Sequence, residues 1–261
     1  MAASTIVKAK QLNWIKGTAF GTAPTTLFLG FASSLTDNGS TENTATFFAS
    51  RVAVTFGAPT TIAANRTIKS SAIVAMGNTI AGGSVSFFEV WDAVSGGNCL
   101  WSGVINNTSG VATPIAFGSG DAINIGVNSI SLFMALNTNS AYSADNLLNW
   151  IRGTAYPAVL ANIYAAIANA SGVESVPLGR IAIANSLWSA IVTTGINQRI
   201  RNTNIIDWGV AGVAFPSANR ISLFDAASAG NSLGFSLFTQ RDIAIGEPVL
   251  LSANALSITA S

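Results

Sequence analysis

Short runs in which apolar and polar residues alternate dominate the chain, and at two places the spacing changes to that of a helix. Leu12, Trp14, Ile15 and Ala19 are spaced for a helical turn or two ending near Gly17. Leu147, Leu148, Trp150 and Ile151 repeat that spacing before Gly153, with Ser143 as N-cap and Asp145 in the first turn. Pro24 and Pro157 follow, as expected past a helix end. Arg51–Phe56 and Arg180–Ile183 show the period-2 alternation of half-buried strands. In the first half, strands are also expected over Thr26–Phe31, Ile68–Met76, Val85–Trp91, Cys99–Ile105, Ala122–Val127 and Ile130–Ala135. In the second half they fall over Asn162–Ile167, Val210–Phe215, Ile221–Phe224, Leu233–Phe238, Val249–Leu251 and Leu256–Thr259. Gly, Asn and Pro separate them at intervals of roughly 8–15 residues, which predicts an all-β sandwich or jelly roll. Residues 1–10 read as a polar, extended arm.

The two helical stretches are copies of one another. Leu12-Asn13-Trp14-Ile15-Lys16-Gly17-Thr18-Ala19-Phe20 returns as Leu148-Asn149-Trp150-Ile151-Arg152-Gly153-Thr154-Ala155-Tyr156. Trp91-Asp92-Ala93-Val94-Ser95-Gly96-Gly97-Asn98 is answered by Phe224-Asp225-Ala226-Ala227-Ser228-Ala229-Gly230-Asn231. Gly120-Asp121 and Asn128–Leu132 face Gly246-Glu247 and Asn254–Ile258 in the same order. The separation between copies drifts along the chain, as insertions in surface loops produce. The chain therefore reads as two tandem β-sandwich or jelly-roll-like domains, each opened by a short helix: an arm at 1–10, repeats at 11–136 and 145–261, and a linker at 137–144. Trp14 and Trp150, Arg51 and Arg180, and Asp92 and Asp225 are the repeated anchors.

Composition narrows the function. Charged residues make up 9% of the 261 residues, against about 25% in an average protein, and the polar remainder is Ser, Thr, Asn and Gly. Such a surface tolerates close apposition to other chains, which points to an assembled protein. Net charge is +1 with no basic stripe, so nucleic acid is not expected as a partner. No apolar run is long enough to span a bilayer, and residues 1–10 lack the apolar core of a signal peptide, so no membrane partner or secretory route is expected.

Candidate chemistry is sparse. The chain has no His, which removes the commonest general base and metal ligand. Cys99, the only cysteine, lies in an apolar run and reads as a buried thiol rather than a nucleophile. Asp92 and Asp225 follow an aromatic at a strand end. They could ligate a metal, but an Asx-type cap on the turn that follows is the preferred reading. Arg51 and Arg180 are expected to pair with a carboxylate or carbonyls within each unit. Trp101, Trp188 and Trp208 have no evident counterpart in the other copy; they are assigned either to core packing or to an interface or sugar-stacking platform. No catalytic, cofactor or metal site is expected, and the protein is not expected to be an enzyme.

On these residues the sequence resembles a group of small bacteriophage virion structural proteins, commonly labelled tail-fibre or minor structural proteins, whose members look like one copy of this unit. The match runs through the Asn-x-x-x-Gly-Thr-Ala helix, the Arg51–Pro59 segment, the Trp91–Leu100 and Phe224–Leu233 segments, and the closing Gly-Asp and Leu-x-Ile-Thr elements. The resemblance implies a virion component made in the host cytoplasm, contacting the major capsid protein or tail subunits and forming homo-oligomers. A capsid cement or decoration protein is the leading expectation. A tail, baseplate or fibre subunit and a lectin-like receptor binder are the alternatives.

Overall fold

The computed structural model describes residues 2–105, 113–136, 139–175 and 178–260. Residues 1, 137 and 138, which belong to the expected arm and linker, lie outside the described residues. The first half runs β1 (Ala2–Ala3), α1 (Thr5–Ile15), β2 (Leu27–Ala32), α2 (Thr44–Phe47), β3 (Val52–Val54), β4 (Thr60–Ile62), β5 (Asn65–Lys69), β6 (Val74–Asn78), β7 (Gly83–Val85), β8 (Phe87–Trp91), β9 (Cys99–Val104), β10 (Ile115–Phe117), β11 (Ala122–Ile125) and β12 (Ser131–Ala135). The second half runs α3 (Ala141–Ile151), β13 (Asn162–Asn169), β14 (Ile181–Ala184), β15 (Val192–Thr194), β16 (Asn197–Arg201), β17 (Ile206–Val210), β18 (Phe215–Phe224), β19 (Ser232–Ile243), β20 (Pro248–Leu251) and β21 (Ser257–Ala260).

Every sheet is antiparallel and has its counterpart. The large sheet of the first half has the order β1-β9-β8-β2-β3, and that of the second is β14-β13-β18-β19, the same order reversed and lacking β1. The sheet β12-β5-β4 answers β15-β16-β21, and the ribbon β11-β6 answers β17-β20. The ribbon β10-β7 corresponds to the outer end of the β18–β19 hairpin, where Phe215 pairs with Ile243. The smaller sheets lie against the larger one in each half, β3 touching β6 and β14 touching β17. The fold is all-β, two sandwich-like halves each opened by a helix.

The helices start earlier than the sequence pattern predicts. Residues 5–10 of the expected arm are the first half of α1, because Ser4 is an N-cap whose hydroxyl accepts from the Val7 N–H at 3.3 Å. The cap of α3 is Ser140, which accepts from the Ser143 N–H at 3.0 Å, so residues 141–144 are helix rather than linker. Ser143 instead donates its hydroxyl to the Leu233 carbonyl at 2.8 Å. Both helices close in the same way. Gly17 (φ 89°) donates to the Trp14 carbonyl and Thr18 to the Asn13 carbonyl, a Schellman arrangement. Gly153 (φ 95°) and Thr154 do likewise to Trp150 and Asn149. The expected strand Val210–Phe215 does not form. Its ends belong to β17 and β18, and between them the Ala211 N–H turns to the Glu247 carbonyl.

Each helix bridges the two halves: α1 packs on β16 and β21 and also on β9 of its own half, and α3 on β5 and β12 and also on β19 of its own half. Chain connectivity explains this. β12 ends at Ala135 and α3 begins at Ala141, so α3 falls directly onto the sheet that the chain has just completed. α1 covers the small sheet of the second half, which α3 leaves free. The apolar core therefore runs without a break through both halves.

Candidate functional site

The repeated anchors fall into two sets, one pinning a hairpin in each half and one joining the halves. Arg51 is 6% exposed and forks onto Glu42, Nε to Oε1 at 2.7 Å and Nη2 to Oε2 at 2.6 Å. Its Nη1 donates to the carbonyls of Ala93 and Gly96 at 2.9 and 2.7 Å, and the guanidinium stacks on the Trp91 ring at 3.5 Å. In the second half Arg180 forks onto Glu174 at 2.8 Å in both arms, donates to Ala226 and Ala229, and covers Phe224 at 3.4 Å. Arg51 holds the Glu42 carboxyl below the usual carboxylate range, chiefly by hydrogen bonding.

Asp92 closes the neck of the same loop. Its carboxylate accepts from the Asn98 backbone N–H at 2.6 Å and side-chain amide at 2.8 Å, and Asp225 holds Asn231 at the same distances. These carboxylates reach six residues along the chain, not two, so they tie the loop ends together rather than capping a single turn. Gly97 and Gly230 both have φ 71°, and a Cβ there would meet the aspartate oxygen at 2.5 and 2.4 Å. That explains why this glycine appears in both copies while its neighbour changes from Gly96 to Ala229. Asp121 and Glu247 also accept backbone N–H groups, from Gly118 and Ala244. All six groups are engaged with the protein itself. No cluster of three or more metal-ligating side chains occurs among the described residues.

One group beside this site was not evident from sequence patterning. Glu89 on β8 is fully buried, and among the described residues the Trp91 indole is the donor nearest its carboxylate, outside regular hydrogen-bond geometry. Burial raises its pKa to about 7, and the Glu42 charge adds to the rise. The corresponding residue on β18 is Ser222, so the carboxyl is peculiar to the first half. Burial likewise pushes the Cys99 thiol far above its ordinary range, which leaves it unsuited to nucleophilic work.

The tryptophans assigned to a possible interface are interior. Trp101 is 0%, Trp188 4% and Trp208 7% exposed, so none offers a ring to a partner or sugar. Strand register also supplies the counterparts that the sequence alone conceals. Trp188 bridges to Asn202 as Phe56 does to Ser70, Trp208 on β17 matches Met76 on β6, and Trp101 matches Gly234. The pairing of Trp101 with Gly234 continues the matched segments Trp91–Leu100 and Phe224–Leu233, whereas those of Trp188 and Trp208 differ too much in size and chemistry to be read without the register.

The joining set consists of the two copies of the signature itself. Trp14 donates its indole N–H to the Pro157 carbonyl at 2.9 Å, and Trp150 donates to the Gly21 carbonyl at 3.2 Å. Phe20 and Tyr156, the last residue of each copy, stack with centroids 3.9 Å apart and planes 13° apart. Two polar contacts flank this seam and differ from each other. Lys8, buried on α1, donates to the Ile196 carbonyl and lies 3.6 Å from Asp37, while Arg66 on β5 forks onto Asp145 of α3 at 2.6 and 2.8 Å. At the surface, Ile73 before β6 and Ile205 before β17 occupy equivalent places and are both 63% exposed.

A family model described as Podophage GP4 fiber I protein gp80 matches this chain twice, over residues 2–132 and over residues 138–259. No curated protein matches it.

Proposed function

The chain belongs to the podophage GP4 fiber I protein gp80 family, and from that premise we propose that it is a fibre subunit of a podophage tail. It is a structural component of a bacteriophage virion in which one fibre unit occurs twice. The observation that carries the fibre reading is the double family match, which covers nearly the whole chain and leaves little of it for another activity. The geometry agrees with a role in assembly. The anchoring carboxylates and guanidinium groups are used internally, and apolar side chains such as Ile73, Ile205, Val210 and Ile245 stand exposed on the ribbons and turns. Surfaces of that kind associate by shape and burial of area. On this reading the chain is not an enzyme, its partners are other virion proteins together with further copies of itself, and it carries no cofactor.

Cryo-electron microscopy of the intact particle tests the placement. Density for this chain at the tail is the expected result. Density confined to the capsid surface would replace the fibre role with the cement role that the low surface charge also suits.

A further inference from the structure

We propose that the second half contains a binding pocket for a neutral aromatic ring, at the place where the first half is filled by its own Trp101. The argument starts from register. Val90 pairs with Trp101 across β8 and β9 as Leu223 pairs with Gly234 across β18 and β19, and each hairpin has the same one-residue bulge beside that pair. On the other side, Ala3 pairs with Trp101 as Asn139 bridges to Gly234. The two positions are therefore equivalent, and one carries an indole where the other carries a hydrogen atom.

The space is not closed up. A cavity of about 280 Å³ lies against Gly234, walled by Ile15, Ile163, Leu223, Leu233 and Ile258. An apolar cavity of roughly half that volume is enough to take benzene. Burial records the same difference. Leu132 in the first half is fully buried, whereas its counterpart Ile258 is only half-buried; Ile151 is at 0% and Ile15 at 8%. No charged side chain lines the cavity, and Ser236, Ser257 and Asn139 stand at its edge, able to accept an indole or phenol hydrogen. The ligand class that fits is a flat, uncharged ring with at most one polar atom.

The probes are free indole and the tripeptide Ala-Trp-Ala, each titrated into the full chain while the Ile and Leu methyl resonances are followed by NMR. One saturable site is expected, with a dissociation constant on the order of 1 mM or tighter for so small a ligand, and shifts centred on Ile15, Leu223, Leu233 and Ile258. Binding of both probes identifies a ring that can arrive on a polypeptide. Binding of indole alone identifies a small free aromatic. Leu223→Phe, which extends a wall side chain into the space beside Gly234, is expected to weaken indole binding at least tenfold. Gly234→Trp is the less suitable variant, because Gly234 has φ 138° and a side chain there is strained. Absence of saturation, or shifts scattered away from these four residues in the wild-type chain, would overturn the proposal whether or not the variant folds.

Discussion

Glu89 is the residue whose behaviour is hardest to infer from its neighbours in sequence, because Phe-Phe-Glu-Val-Trp reads as a strand with an outward-facing carboxylate. β8 is covered on both faces, Phe88 through Trp91 being buried without interruption, and Glu89 is therefore inside. Its folded pKa, about 7, lies above the value near 4.5 expected in the unfolded chain, so the folded state holds its proton more tightly. The contribution to stability is then present in full below about pH 4.5 and is lost as pH rises towards 7. Glu42, Arg51 and Cys99 are the ionisable groups that act on it or feel its charge. Glu89→Gln keeps the shape and removes the charge. Chemical denaturation of this variant is expected to lack the wild-type fall in stability between pH 4.5 and 7, a fall of at most about 3 kcal/mol. An unchanged pH profile would show that Glu89 stays ionised. The two arginines allow a comparison at the same scale. Lys cannot reproduce a fork onto a carboxylate together with two carbonyls, so Arg51→Lys should cost about 2 kcal/mol. Arg180→Lys should cost less, because Arg180 is more exposed and stacks on Phe rather than Trp. Thermal melts that rank the two variants in the opposite order would contradict this reading of the pinned hairpins.

Among the elements, what was legible depended on whether a signal was local. The Gly-Thr after each helix, the glycine before Asn98 and Asn231, and the apolar runs of β2, β9 and β12 each follow from chemistry within a few residues, and these elements formed where the pattern placed them. The helix starts were misjudged because Ser4 precedes a polar-looking Thr-Ile-Val-Lys-Ala-Lys run. The run is interior although it looks polar, because Lys8 is buried with its ammonium donated to the Ile196 carbonyl and close to Asp37. The interior placement of the tryptophans agrees with the core-packing reading, but the counterparts of Trp188 and Trp208 escaped for a related reason: they come from register, and register joins residues that are far apart along the chain. The two Schellman glycines provide the test at this scale. A Cβ on Gly17 would meet Asn185 Nδ2 at 2.6 Å, and one on Gly153 would meet the Pro24 carbonyl at 3.2 Å, in addition to the strain of their positive φ. Gly17→Ala and Gly153→Ala are each expected to cost about 1–2 kcal/mol in a denaturant melt. A neutral outcome at both would mean that the helix ends relax freely.

For the whole molecule, the decisive property is that each helix spans both halves, and nothing in the composition or periodicity of either half distinguishes it from two self-contained domains. An amphipathic helix has the same pattern whichever sheet receives it. Connectivity and charge decide between the two. The short stretch from Ala135 to Ala141 delivers α3 to β5 and β12, where Asp145 meets Arg66. In its own half α3 would instead present Asp145 towards Gln198, the residue that stands in β16 where Arg66 stands in β5. α1 brings Lys8 to the Ile196 carbonyl, and exchange back would place that ammonium beside the Arg66 region of its own half. Each seam is thus complementary only in the crossed arrangement, and the indole hydrogen bonds of Trp14 and Trp150 run across it in both directions. A protease site inserted between Leu136 and Asn139 tests the consequence without removing any part of the chain. After cleavage the two fragments are expected to elute together from a native sizing column and to melt in one cooperative transition, since each helix remains held by the other fragment. The same cleavage in an Asp145→Arg, Lys8→Glu background should loosen the pair, and separation of the fragments on the wild-type background would show that each half keeps its own helix.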